Sequence, residues 1–365
     1  GAPLYRVHST NLPTHRKPLT FENPGTPVIV RKRKTETVVI SPRRGERREM
    51  LVGMSSVATV VGSREITNEQ LVSQNPKLSA EDILRRTGIE SRHWVSDETA
   101  IDMAVRSCWQ LLDREGLIVD DLDSIICATT SPTVVTPSMA CQVLNGLANG
   151  RTSAMVQAHD INAACSGYLY ALQSGFDYLQ SAPQGRVLIV TAEVLSPLLD
   201  LNDLDTAIIF GDAASATILY GEQHMERAKM RLMRPELSAR GEDGSVLSVP
   251  FPTLGHIQMQ GRRVFSEAVR TMLSSLNRVC DRQEMSLEDL SLVVPHQANG
   301  RIIEAVRNRV NVNVYNNIRH HGNTSSSSIP LCLVDVLPQL QPKERIALCA
   351  FGGGFTFGAS LLEAA

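Results

Sequence analysis

Beyond residue 50 the chain alternates continuous apolar runs with amphipathic stretches. Met155 to Asn162 predicts a strand, Tyr168, Leu172, Phe176 and Leu179 recur at helical spacing, and Arg186-Val-Leu-Ile-Val190 predicts a buried strand. Later, Leu292 to His296 predicts a strand and Ala298 to Val306 a helix. The pattern also repeats. Ala104-Val-Arg-Ser and then Asp121-Leu-Asp-Ser-Ile-Ile-Cys127 are answered by Ala268-Val-Arg-Thr and then Asp289-Leu-Ser-Leu-Val-Val-Pro295. Ala207 to Ala216 is answered by Ala347 to Thr356. A repeat this long is no solenoid period; it predicts a duplicated α/β unit, with halves at 51–222 and 223–365.

The first 50 residues depart from this pattern. They hold eleven Lys and Arg against four Glu, and six of the 18 prolines. Only Pro27 to Val30 and Thr37 to Ile40 have the makings of short strands. Residues 1–50 therefore read as an extended basic arm, either a solvated tail or a docking strip for an acidic partner. The whole chain carries a formal net charge of −2, which argues against nucleic-acid or anionic-membrane binding in bulk. No run reaches the roughly 18 apolar residues of a membrane span, and the N-terminus has no apolar signal region. Seven cysteines without a CxxC pair argue against a disulfide framework or zinc ribbon, and for a reducing, cytoplasmic setting.

One cysteine is placed for chemistry. Cys165, in Ala163-Ala-Cys-Ser-Gly167, falls at a predicted strand-to-helix turn among small residues. Free N–H groups and the positive helix end there favour thiolate over thiol. The competing reading is a small buried core cysteine. A thiolate nucleophile needs a proton-handling partner and an oxyanion site. His296 ends a predicted strand, and Asn323 sits on a Gly-supported turn, His321-Gly-Asn-Thr-Ser-Ser-Ser-Ser328, where the small serines allow close packing. Both side chains can donate hydrogen bonds to one enolate oxygen. Glycines 352 to 354 offer an unhindered backbone N–H beside Cys165. A structural histidine and a turn-forming asparagine remain the plain alternatives. Adjacent His320 and His321 are weak evidence for a metal, since neighbours on a strand point apart.

The motifs together resemble β-ketoacyl-acyl-carrier-protein synthase III of the thiolase superfamily. They are Arg86-Thr-Gly-Ile89, Ala163 to Gly167, Phe210-Gly-Asp212, Pro295-His-Gln-Ala-Asn299 with Arg301, Gly322-Asn-Thr324 and Phe351-Gly-Gly-Gly-Phe-Thr-Phe-Gly358, in the family's order over 51–365. The resemblance implies a five-layered αβαβα fold, a homodimer and a Cys165–His296–Asn323 triad. It also implies an oxyanion hole from the Cys165 and Gly353 amides, with Phe351 beside the nucleophile and Asn299 and Arg301 at the tunnel mouth. The implied reaction is decarboxylating Claisen condensation of a Cys-bound acyl group with a malonyl-type thioester. Its substrates travel on the phosphopantetheine of acyl carrier protein or CoA, with no metal or bound cofactor.

Neighbouring families differ at named positions. A biosynthetic thiolase has a second cysteine where Ala350 stands; Cys349 is one residue off, on the opposite strand face. The Gly-Phe-Gly-Pro-Gly loop of plant-type polyketide synthases is absent, and Ala128 to Pro132 lacks the glutamate base of a hydroxymethylglutaryl-CoA synthase. Departures from the family occur where it commonly clamps the CoA adenine: Asp82 replaces a Trp and Leu204 an Arg. Thr136 replaces a pocket-floor Phe, which implies a deeper acyl pocket. These point to a divergent paralogue. Two rivals are an acyltransferase acting on an alcohol or amine, and a non-catalytic dimerising partner of a related synthase; the intact triad speaks against the latter.

Overall fold

The computed structural model describes residues 48–74, 77–149, 155–250 and 255–365; the basic arm, apart from its last three residues, lies outside them. In the first half Ser124–Ala128 pairs parallel with Arg186–Glu193, which pairs antiparallel with Ala213–Tyr220. In the second half Leu292–Pro295 pairs parallel with Arg345–Gly352, which pairs antiparallel with Thr356–Ala364. The sequence repeat is thus a repeat of topology. Val52–Val61 and Met230–Leu232 join the two sets into one mixed sheet of ten strands, with Gln157–Ile161 at one edge and Leu292–Pro295 at the other.

Successive strand residues face opposite ways, so each half-sheet buries two faces. Ile126, Val187 and Ile189 from one half and Val294, Leu348 and Ala350 from the other share a core with the helices Gly167–Leu179 and Ser328–Val336. The alternate residues Ile125, Cys127 and Leu188 pack under Ala100–Glu115 and Met139–Ala148. Val293, Ala347 and Cys349 pack under Gly261–Arg282 and Gly300–Arg307. The layers run helix, sheet, helix, sheet, helix, the five-layered αβαβα arrangement of thiolase-like enzymes. Burial on both faces explains the unbroken apolar runs. Cys349 and Ala350 do lie on opposite faces, as expected.

Helix ends follow local chemistry. Thr99 and Asp102 form a capping box at the start of Ala100–Glu115, and Gly116, with φ of 63°, closes it. Among the described residues no helix is long and apolar enough to cross a membrane.

Candidate active site

The strand Gln157–Ile161 leads into a tight turn, Ala164–Ser166, and only then into the helix Gly167–Leu179. Cys165 therefore stands before the helix rather than in its first turn. Ala164 reaches this geometry with a φ of 48°, a conformation that is strained for a residue bearing Cβ. The glycine loop lies directly on the turn. A Cβ on Gly352 would sit 2.6 Å from the Cys165 amide nitrogen, so only glycine allows the approach. The Thr356 hydroxyl donates to the Ala163 carbonyl at 2.7 Å, and the Ser166 hydroxyl donates to the Thr356 carbonyl at 3.0 Å. These bonds tie the end of the glycine loop to the nucleophile turn.

The thiolate expected from the helix end is not the resting state. Burial pushes the Cys165 thiol up to about 12; the nearby Glu193 carboxylate adds to this, while the Ser325 hydroxyl works against it. Desolvation of the anion outweighs a helix end that starts two residues later.

His296 follows the strand Leu292–Pro295, and its backbone N–H donates to the Cys349 carbonyl at 2.7 Å. Burial lowers its imidazole to about 3, so the ring is neutral at physiological pH. Its Nδ1 lies 2.6 Å from Ser328 Oγ, which already accepts from the Gln297 N–H at 3.2 Å. Among the described residues that hydroxyl has no other acceptor, so it donates to Nδ1, and the ring proton is assigned to Nε2. His296 is thereby a donor. Asn323 is fixed the same way: its Oδ1 accepts from the Ser325 N–H at 2.8 Å, and its amide NH2 spends one proton on the Ala298 carbonyl at 3.4 Å. The other proton has no acceptor among the described residues. Gly322, at φ of 66°, lets this turn pass the Ile209 carbonyl, which a Cβ would approach to 2.6 Å.

Cys165, His296, Asn323 and Phe351 all line one cavity of about 900 Å³. Phe351 is buried against Phe355, with ring centroids 4.6 Å apart. The exposed Arg86, Arg262 and Arg301 and the half-buried Asn299 and Leu204 line the cavity too. Asn299 caps the helix Gly300–Arg307 by accepting from the Arg301 N–H at 2.8 Å, and reaches the Arg86 carbonyl at 3.4 Å. Leu204 lines the cavity, but Asp82 does not: it caps its own helix and pairs with Arg85 at 2.6 Å, which with the Ser79 bonds holds its carboxyl at about 2. Thr136 is exposed, as are its neighbours from 132 to 137, and does not line the cavity of its own chain. Among the described residues no cluster of three or more His, Cys, Asp or Glu is arranged for a metal.

Three features escaped the sequence reading. Ser328 sets the His296 tautomer, Arg262 adds a third guanidinium to the cavity lining, and Glu193 is a buried carboxylate near the nucleophile. The four serines 325–328 do more than allow close packing. A run of hydroxyls beside a functional turn carries a stronger signal, because each needs a polar partner once buried.

Sequence models of 3-oxoacyl-acyl-carrier-protein synthase III match residues 159–241, and its C-terminal region matches 280–364. The chain is 38% identical over 300 residues to β-ketoacyl-acyl-carrier-protein synthase III of Oleidesulfovibrio alaskensis, covering 77% of this chain and 89% of that protein. This chain belongs to the synthase III family. The Clostridium perfringens synthase III is 35% identical over 312 residues, covering 82% and 94%. Among solved structures, synthase III of Aquifex aeolicus superposes with a TM-score of 0.79 at 33% identity, over 86% of this chain and 99% of that one. The priming β-ketosynthase of the R1128 polyketide pathway superposes with a TM-score of 0.76 at 26% identity, over 88% and 98%.

Proposed function

We propose that this synthase III condenses a Cys165-bound acyl group with a malonyl-type thioester and releases CO2. The observation that carries the reading is the donor pair. His296 and Asn323 line the cavity of Cys165, and each keeps one N–H without an acceptor among the described residues. Two neutral donors suit an enolate oxygen. An acyltransferase working on an alcohol needs a base there, and neither group is one.

In the first half-reaction Cys165 sulfur attacks the acyl thioester, and the Cys165 and Gly353 amides hold the oxyanion. In the second, the thioester oxygen of the malonyl substrate takes the His296 and Asn323 hydrogen bonds. Loss of CO2 leaves an enolate, and its carbon attacks the acyl-Cys165 carbonyl. The departing CO2 supplies the carbanion, so this chemistry calls for no metal or redox group.

Acyl carrier protein is the proposed partner. Leu204 offers an adenine no guanidinium, and Asp82 is turned to its own helix. Arg86, Arg262 and Arg301 form no ion pair among the described residues. They suit an acidic carrier that inserts only its phosphopantetheine arm past Asn299. The test is turnover with one acyl group on CoA and on carrier protein, malonyl-carrier being the second substrate. The expected result is CO2 and a β-ketoacyl product, with kcat/KM favouring the carrier about 10-fold or more, as each missing adenine partner costs about 1 kcal/mol. The advantage falls with salt and with deletion of the arm, residues 1–50. Equal constants at low salt would remove the carrier preference, and absence of product the reaction.

A homodimer is the proposed assembly, and the seven free cysteines accord with a reducing cytoplasm. The edge strand Gln157–Ile161 is half exposed, and the loop between Ser124–Ala128 and Met139–Ala148 exposes Val134 and Val135. A second copy on this edge would receive Thr136 in its acyl pocket. Thr136→Phe should then shift acylation of Cys165 toward short acyl groups, by roughly 10-fold or more per excluded methylene. An unchanged chain-length profile would place Thr136 outside the pocket.

A further inference from the structure

Glycines cannot hold a loop through side chains, so the backbone of Gly352, Gly353 and Gly354 is fixed by what lies against it. On one side that is the nucleophile turn. On another it is the segment 240–247, which runs past the loop in the opposite direction. The Arg240 N–H donates to the Phe355 carbonyl at 2.8 Å, and the Phe355 N–H donates to the Arg240 carbonyl at 2.6 Å. This pair extends the ladder between Glu236–Ala239 and Thr356–Ala364. A Cβ on Gly244 would stand 3.6 Å from the Gly354 carbonyl oxygen, and one on Gly353 would stand 2.9 Å from the Leu247 carbonyl oxygen.

The Arg240 side chain fastens this segment down. Its guanidinium reaches Asp243 at 3.2 Å, within the segment, and Glu267 at 2.7 Å, on the helix Gly261–Arg282. It also lies over the Phe355 ring, 5.6 Å from the centroid. Phe355 is buried and packs on Phe351, which lines the cavity with Cys165. Asp243 and Glu267 each have a second cation, Arg263 and Arg270. Neither carboxylate therefore depends on Arg240 for a counter-charge. What Arg240 alone does is join the segment, the helix and the aromatic pair.

We propose that Arg240 is a positioning residue for acyl transfer to Cys165, holding the Gly353 amide and the Phe351 ring in register with the nucleophile. This rests on the proposed oxyanion role of the Gly353 amide. Arg240 does not line the cavity and touches no substrate. It acts through the glycine loop, because an oxyanion donor works only when it is already aimed at the forming charge. His296 and Asn323 are held separately, by Ser328, the Ser325 N–H and the Ala298 carbonyl. The enolate donors therefore do not depend on Arg240.

The experiment is single-turnover acylation of the full chain over a range of acyl-carrier thioester, for wild type, Arg240→Met, Arg240→Lys and Glu267→Ala. Release of CO2 from malonyl-carrier thioester without an acyl donor is measured alongside. Methionine keeps most of the stem's packing and leaves both carboxylates their other arginine. Glu267→Ala frees the guanidinium from the helix, and it reads the same contact should Arg240→Met not fold. The expected result for Arg240→Met is a limiting acylation rate lower by about 10- to 100-fold, the scale of misplacing one oxyanion donor. The half-saturating carrier concentration and the CO2 release should stay within about twofold of wild type, since only the acyl-transfer step has lost support. Lysine, which keeps a cation over Phe355, should return acylation to within about fivefold of wild type. Glu267→Ala should lose about threefold or more in acylation alone, the scale of one charged hydrogen bond. Wild-type acylation in Arg240→Met or Glu267→Ala, an equal loss of acylation and CO2 release, or a lysine variant no better than methionine would overturn the proposal. Failure of the wild type to acylate would instead overturn the assignment of Cys165.

Discussion

Cys165→Ala should form no acyl-enzyme and no β-ketoacyl product, the largest loss of any substitution in the molecule. The reason is chemical: alanine has no electron pair to place on the acyl carbon, and no other described cysteine lines the cavity. The substitution removes one sulfur facing that cavity and no hydrogen bond on which the fold depends. Its thermal midpoint should stay within about 4 °C of wild type. His296 and Asn323 keep their partners, Ser328 and the Ser325 N–H, so the variant should still release CO2 from malonyl thioester without condensation. Acyl transfer measured with labelled acyl thioester, alongside CO2 release, checks both parts. An acylated alanine variant would place the nucleophile elsewhere.

Asn323→Asp should spare acylation and slow decarboxylation by at least about 10²-fold, the scale of losing one oxyanion donor. Aspartate keeps the oxygen that accepts the Ser325 N–H, so the turn is retained, but it puts a carboxylate where the amide proton faced the enolate. Repulsion of one anion by another adds to the lost bond. His296, lowered to about 3, stays neutral down to that range, so loss of decarboxylation near pH 6.5 should not be its titration. Rapid-mixing measurement of the two half-reactions separates the effects. Full decarboxylation by the aspartate variant would remove Asn323 from its role.

Much of this site was legible because its key residues sit at element ends. Cys165 follows the strand at 157–161 and precedes a helical period; His296 ends an apolar run. The environment that decides their chemistry was not local. The Cys165 thiol is held protonated by burial and by a carboxylate 28 positions later, so the dipole argument, built on adjacent residues, pointed the wrong way. The two-residue delay before the helix rests on a left-handed Ala164, a conformation that alanine does not advertise. Asp82 shows a different kind of miss: its partner Arg85 lies one helical turn away, close enough to be read from spacing. Thr136 could be located only by folding the chain, since its distance from its own cavity depends on where the loop at 132–137 is carried.

Intact-mass measurement of wild-type protein during an acyl-thioester pulse and a malonyl-carrier chase tests the central claim most directly. The predicted result is one acyl group per chain, mapped to the peptide bearing Cys165. The chase should discharge it with one equivalent each of CO2 and β-ketoacyl product. An acyl group that survives the malonyl chase, or leaves for an alcohol or amine without release of CO2, would contradict the account.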